Sequence, residues 1–159
     1  MSMSEKIGII TCSNAATEMD CCAAPCLRDL NQHLGSFKEH HESPPILAGM
    51  ITCAGCPTLA YPEKIMRKVK SLIEYKISTI HFSCCMVSLC PFLNKYIEII
   101  SEEYPDVRLI KGTHATTISH EQFREYFNIA CRNHLNMNDI IKGRVTDDQK
   151  KPGLRRDEE

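Results

Sequence analysis

No apolar run in this 159-residue chain approaches the ~20 residues that a helix needs to span a bilayer, so no membrane-spanning helix is expected. A secretion signal is not expected either. The chain opens Met-Ser-Met-Ser-Glu-Lys, with an acid where such a signal wants basic residues, and the apolar stretch behind it lasts only from Ile7 to Ile10. Neither charge is in excess. Lys+Arg number 19 and Asp+Glu 20, a formal net charge of -1, which argues against a nucleic-acid or anionic-membrane binder. Several catalytic signatures are absent too. No Gly-x4-Gly-Lys-Ser/Thr and no Gly-x-Gly-x-x-Gly occurs, so neither common nucleotide cradle is present. A Cys-x5-Arg phosphate loop starting at Cys12 would need arginine at Glu18, and a zinc-protease His-Glu-x-x-His starting at His120 would need histidine at Arg124.

What is present is thiol. The chain carries ten cysteines and seven histidines. With no export signal the expected compartment is the cytoplasm, where cysteines serve as metal ligands or redox groups more often than as disulfides. Stability does not demand either role. Hydrophobic residues make up 43% and charged residues 25%, a globular composition. One domain of this size buries roughly 68–70% of its unfolded surface without help. Residues 1–142 read as that single domain, and 143–159 as a polar, solvated tail.

Short apolar runs recur at Ile7–Thr11, Ile46–Thr52, Thr79–Ser83 and Val107–Ile110, each the length of a buried strand. Helical spacing fills the intervals. Leu27, Leu30, Leu34 and Phe37 make one stripe; Ile65, Met66, Val69, Leu72 and Ile73 a second, behind Pro62; Phe92, Leu93, Tyr96, Ile97, Ile100 and Tyr104 a third, opened by Pro91. Such alternation implies an α/β fold: a three-layer, Rossmann- or flavodoxin-like parallel sheet of about four strands with helices on both faces. A further C-terminal helix is expected from Glu121 to about Leu135, with Ser119 and Gln122 forming a capping box.

The cysteines follow this pattern closely. Cys12 comes straight after the first strand, Cys53 and Cys56 after the second, Cys84 and Cys85 after the third with Cys90 closing the same loop, and His114 after the fourth. In a parallel sheet those loops all emerge at the carboxyl edge, where open α/β folds build their sites. Cys53-x-x-Cys56 has the spacing that lets two thiolates grip one tetrahedral ion, and Cys84-x5-Cys90 supplies a looser second half. Sulfur coordination of this kind suits zinc or an iron–sulfur centre equally. Cys21, Cys22 and Cys26 lie in the loop before the first helix. Cys26 falls near that helix's amino end, a position that lowers a thiol's pKa. Cys131 reads as a small hydrophobe on a helix face.

The order Cys, Cys, Ile-Thr-Cys-Ala-Gly-Cys-Pro, Ser-Cys, Cys-Pro and Gly-Thr-His, from Lys6 to Ala115, resembles the CGGC-domain family of small, mainly prokaryotic proteins. The resemblance implies metal binding, zinc included, and points to Cys12, Cys26, Cys53, Cys56, Cys84, Cys90 and His114 as the recurring residues. Ala54 stands where the family name has glycine, and Phe92 where a histidine often follows the Cys-Pro pair. Cys21, Cys22 and Cys85 are extra.

Two function classes follow. One is a metal-binding module holding zinc or an iron–sulfur cluster, with surplus thiols that would let two chains share a cluster in a homo-oligomer. The other is a thiol–disulfide redox enzyme cycling Cys53 and Cys56. Of the other histidines, His40 and His41 read as a surface pair, His81 as a satisfied strand histidine, and His33, His120 and His134 as helix residues facing water. Lys64, Arg67, Lys68 and Lys70 read as a solvated helix face.

Overall fold

In a computed structural model, residues 5–40, 44–56, 61–132 and 135–145 are described. His41, Pro57, His134 and the tail from 146 onward lie outside them.

Four strands form one sheet: β1 (Lys6–Thr11), β2 (Ile46–Thr52), β3 (Thr79–Phe82) and β4 (Arg108–Lys111). All neighbours are parallel, in the order β2-β1-β3-β4. That is the start of the flavodoxin order, whose crevice opens between the ends of β1 and β3. Cys12 and Cys84 follow those two strands.

The expected layers are present. Ile7 and Ile9 of β1 pack with Leu30 and Phe37 on one face of the sheet. These two partners come from α2 (Ala24–Asn31) and a 3-10 turn at Gly35–Glu39. Ile10, Ile80 and Phe82 face the other way, into a larger core with Ile65, Val69 and Leu72 of α3 (Tyr61–Ile73) and Leu93, Tyr96 and Ile100 of α5 (Leu93–Glu103). Gly8 leaves room for α3: a Cβ there would stand 2.9 Å from Leu72 Cδ1. β2 is an edge strand, so its apolar run is half-buried rather than enclosed.

Three helical expectations need correction. The stripe from Leu27 to Phe37 is not one helix: α2 stops at Asn31, and His33 and Gly35 take φ of 55° and 56° before the 3-10 turn. The segment from Cys84 to Cys90 is not a loop. Ser83 Oγ accepts from the Met86 N–H and caps α4 (Cys84–Leu89). The C-terminal helix α6 runs His120–Arg132 and ends short of Leu135, and a short α7 (Met137–Ile141) follows, capped by Asn136. At the start of α6 the capping box forms as expected: Gln122 N donates to Ser119 Oγ at 3.2 Å, and Ser119 N to Gln122 Oε1 at 2.9 Å. Another short helix, α1 (Ser13–Thr17), follows Cys12 directly. Among the described residues no helix is long and apolar enough to cross a membrane.

Candidate metal centre

All ten cysteines are free. Those singled out by the sequence divide into two groups at the carboxyl edge of the sheet. Cys12, Cys53, Cys56 and Cys90 line one cleft of about 240 Å³, together with Ser13, Asn14, Leu89, Arg124, Phe127 and Asn128. Each thiol arrives from a separate cause. Cys12 joins the end of β1 to the start of α1; Cys53 and Cys56 leave β2 through Gly55, whose φ of 91° an L side chain would resist. Cys90 ends α4, and its N–H donates to Met86 O.

At the floor of this cleft sits a thiol pair. The Cys12 thiol is turned to Cys53, and this pairing draws the Cys53 pKa down. Backbone donors assist: the Ser13 N–H reaches Cys53 Sγ at 3.4 Å and the Gly55 N–H also donates, while the Ser13 hydroxyl lies 3.5 Å from the sulfur. Cys12 takes the opposite direction. It holds the shared proton, and its burial adds to the rise. Burial likewise pushes Cys90 up to about 11. Cys53 is therefore the thiol of this cleft most easily ionised, and the others must lose protons against their surroundings to bind an ion.

The second group is buried and centred on Thr113. Cys26 Sγ lies 3.2 Å from Thr113 Oγ1, Thr113 N donates to Cys84 Sγ at 3.5 Å, and the Cys84 thiol donates to His114 O at 3.0 Å. The loop after β4 is thereby stitched to α2 and α4. Asp29 adds a tie through its Oδ2, which accepts the Ala115 N–H at 2.8 Å. The helix-end argument for Cys26 fails here: burial outweighs the Thr113 hydrogen bond and pushes the thiol up to about 12. His114 is not drawn into the thiol cleft. Its Nδ1 faces Ala115 O at 2.9 Å, and it borders a different hollow with Arg28, Phe123 and Tyr126. Among the described residues no three His, Cys, Asp or Glu side chains stand close enough to hold one ion.

Two supporting residues were invisible in the sequence. Lys68, read as one of four solvated cations, folds its ammonium onto the end of β2. It donates to Thr52 O at 2.8 Å, Thr52 Oγ1 at 3.0 Å and Cys53 O at 3.0 Å. Arg124 forms a wall of the thiol cleft from α6, held by Ser88 O and Glu121, each at 3.2 Å. A helix face of Lys64, Arg67, Lys68 and Lys70 gives no local sign of which cation bends inward. Only the tertiary approach of α3 to β2 decides it.

Histidine and cysteine placements differ in part from expectation. His40 is buried, not a surface residue, because the 3-10 turn tucks it under the sheet against His81. His81 is buried and satisfied as expected, with Nδ1 on Gly112 O at 2.9 Å. Exposed His120 meets Ser88 Oγ at 2.8 Å. Cys131 is exposed rather than part of an apolar face, its thiol 3.4 Å from Met19 Sδ.

No curated protein and no solved structure matches this chain. The model of the CGGC domain matches residues 6–114. That span runs from the first strand to the histidine after the fourth, and it encloses both thiol groups. With well over half its length matched in one continuous stretch, the chain belongs to the CGGC-domain family.

Proposed function

We propose that this protein binds a thiophilic metal, zinc or an iron–sulfur cluster, with Cys12, Cys53, Cys56 and Cys90 as ligands. The observation that carries this reading is that four thiols from three separate chain segments line one cleft. The donors fit such a group in kind, and binding one ion would require the four thiols to close in on it, since no three of them stand within ligand reach of a common point. Cys53 already favours the thiolate, and the Arg124 guanidinium on the wall offsets the charge that further thiolates bring. Membership of a family assumed to bind metal supports the same conclusion. Bound there, zinc would fasten the loops together and an iron cluster would also exchange an electron. In this reading Cys26 and Cys84 act from behind the cleft, fixing through Thr113 the loop that carries His114. Ten free thiols suit a reducing, cytoplasmic setting.

The test is elemental analysis with an absorption spectrum on untagged protein purified without oxygen. Near-stoichiometric zinc without colour, or iron and sulfide with visible absorption, supports the reading and names the occupant. Protein free of metal, with its thiols all titrating, overturns it.

A second reading, thiol–disulfide exchange, is favoured by the hydrogen bond between the Cys12 thiol and the Cys53 thiolate. Cys53 would attack a substrate disulfide and Cys12, rather than Cys56, would resolve the mixed disulfide. Its signature is one cysteine alkylated far faster than the others in metal-free protein. Uniform reactivity would exclude it.

A further inference from the structure

Three of the cysteines that the first cleft leaves unused meet in a second one. Cys21, Cys22 and Cys85 line a hollow of about 300 Å³ behind the first, and Cys12 is the wall between the two. Met50, from β2, brings a thioether to the same hollow. The Cys21–Cys22 pair is held in a tight excursion of the backbone. Asp20 before it and Ala23 after it both take left-handed φ, 50° and 57°, although neither is glycine, and the Cys21 N–H is tied back to Ala15 O at 3.0 Å. Such conformations persist only where the surroundings enforce them.

The chemistry of the lining narrows what could bind. Among the described residues no acid and no histidine faces this hollow. Its two side-chain hydroxyls are already engaged: Thr11 Oγ1 donates to Ile51 O at 3.3 Å, and Thr52 Oγ1 accepts from Lys68. Ala15, Ala16, Ala23 and Ile51 supply the remaining side of the wall. Hard cations, which want several oxygens and carboxylates above all, find only these two neutral hydroxyls among the described side chains. Thiols and a thioether in apolar surroundings are donors for a soft cation, and two or three of them satisfy an ion of low coordination number.

We propose that this second cleft is a binding site for a soft monovalent cation of the copper(I) or silver(I) type, with Cys21 and Cys22 as thiolate ligands and Met50 as a thioether donor. Cys85, buried and 2.9 Å from Ser83 Oγ, closes the inner end. The site is independent of the thiolate metal centre proposed above. It uses cysteines outside the family's recurring set, and it can be loaded or empty whatever occupies the first cleft.

The experiment titrates anaerobic, metal-free protein with copper(I) against a chromophoric copper(I) chelator. Three chains are compared: the full chain, a C53S/C56S variant that disables the first cleft, and that variant carrying C21S and C22S in addition. The C53S/C56S protein is expected to retain one competed copper(I), and the added C21S/C22S pair to weaken it by at least about tenfold. Zinc or iron content of the C21S/C22S variant in an otherwise native chain should stay at the native level, which separates this site from the first. Copper(I) held equally well with and without Cys21 and Cys22 overturns the proposal. Should the combined variant fail to fold, C22S alone, at an exposed side chain, supports or overturns the proposal by the same comparison.

Discussion

The Cys53 loop depends on a few neighbours for its place, and the least obvious of them is Lys68. Its three hydrogen bonds satisfy two carbonyls and a hydroxyl where β2 turns into the Cys53–Cys56 loop. Replacing it with methionine keeps the packing of the stem and removes every donor. Hydrogen bonds from a charged group carry about 1.5–3 kcal/mol each when buried, and less here because Lys68 is only half-buried. K68M should therefore lower unfolding stability by about 1–2 kcal/mol in urea titration and reduce metal content, whereas K64M should do neither. Equal stability in the two variants would show that the clamp is idle. At this scale the sequence was informative about cysteines and silent about their helpers. Thiols declare their chemistry wherever they fall; a lysine among lysines, or a hydroxyl such as Thr113, acquires a role only from what folds against it.

Between elements, two features of the sheet make predictions. On the α3 face Gly8 and Gly49 are register partners, and a Cβ at either would press on Leu72, at 2.9 Å and 2.7 Å from its methyl carbons. G8V overfills that interface and should cost about 1–3 kcal/mol, measured by urea unfolding. A neutral result would mean α3 sits further from the sheet. On the opposite face a chain of polar groups crosses the buried layer. His81 Nδ1 donates to Gly112 O, so its Nε2 accepts from His40 Nε2 at 2.8 Å, and His40 Nδ1 meets Glu5 at 2.5 Å. The Glu5 carboxylate also takes the Thr79 hydroxyl. Burial pushes His81 down to about 4. The folded chain thus refuses a proton that the unfolded chain accepts at about 6.5. Stability is full above that range and should fall as pH drops through it towards 4. Glu5 adds a loss in the same direction at lower pH: burial would raise its carboxyl, yet hydrogen bonds from Thr79 and His40 hold it below its ordinary value. Urea unfolding at a series of pH values checks this, and H81F should flatten the slope between about 6.5 and 4. A pH-independent native chain would contradict the buried network. The strands themselves were legible, because continuous apolar runs of that length have few other fates. The break after α2 was not: the helical stripe continues past Asn31, and only the left-handed turns at His33 and Gly35 send Phe37 and His40 beneath the sheet.

The arrangement of the whole molecule turns a scatter of cysteines into a site. A parallel sheet in the order β2-β1-β3-β4 delivers every strand end to one edge, so Cys12, Cys53, Cys84 and His114 share that edge although they span more than a hundred positions. That much follows from topology and was readable beforehand. How the edge is partitioned was not. The α4 helix turns Cys84 inward towards Thr113 and carries Cys90 outward to the first cleft, and no spacing rule separates those fates. Cys131, exposed at the end of α6, takes no part in either cleft.

The most direct test of the central claim is the metal content of anaerobically purified native protein set beside C53S and C131S. The account predicts near-stoichiometric zinc or iron in the native chain, the same content in C131S with stability changed by no more than about 0.5 kcal/mol, and most of the metal lost from C53S. Equal metal in all three, or none in any, would contradict it.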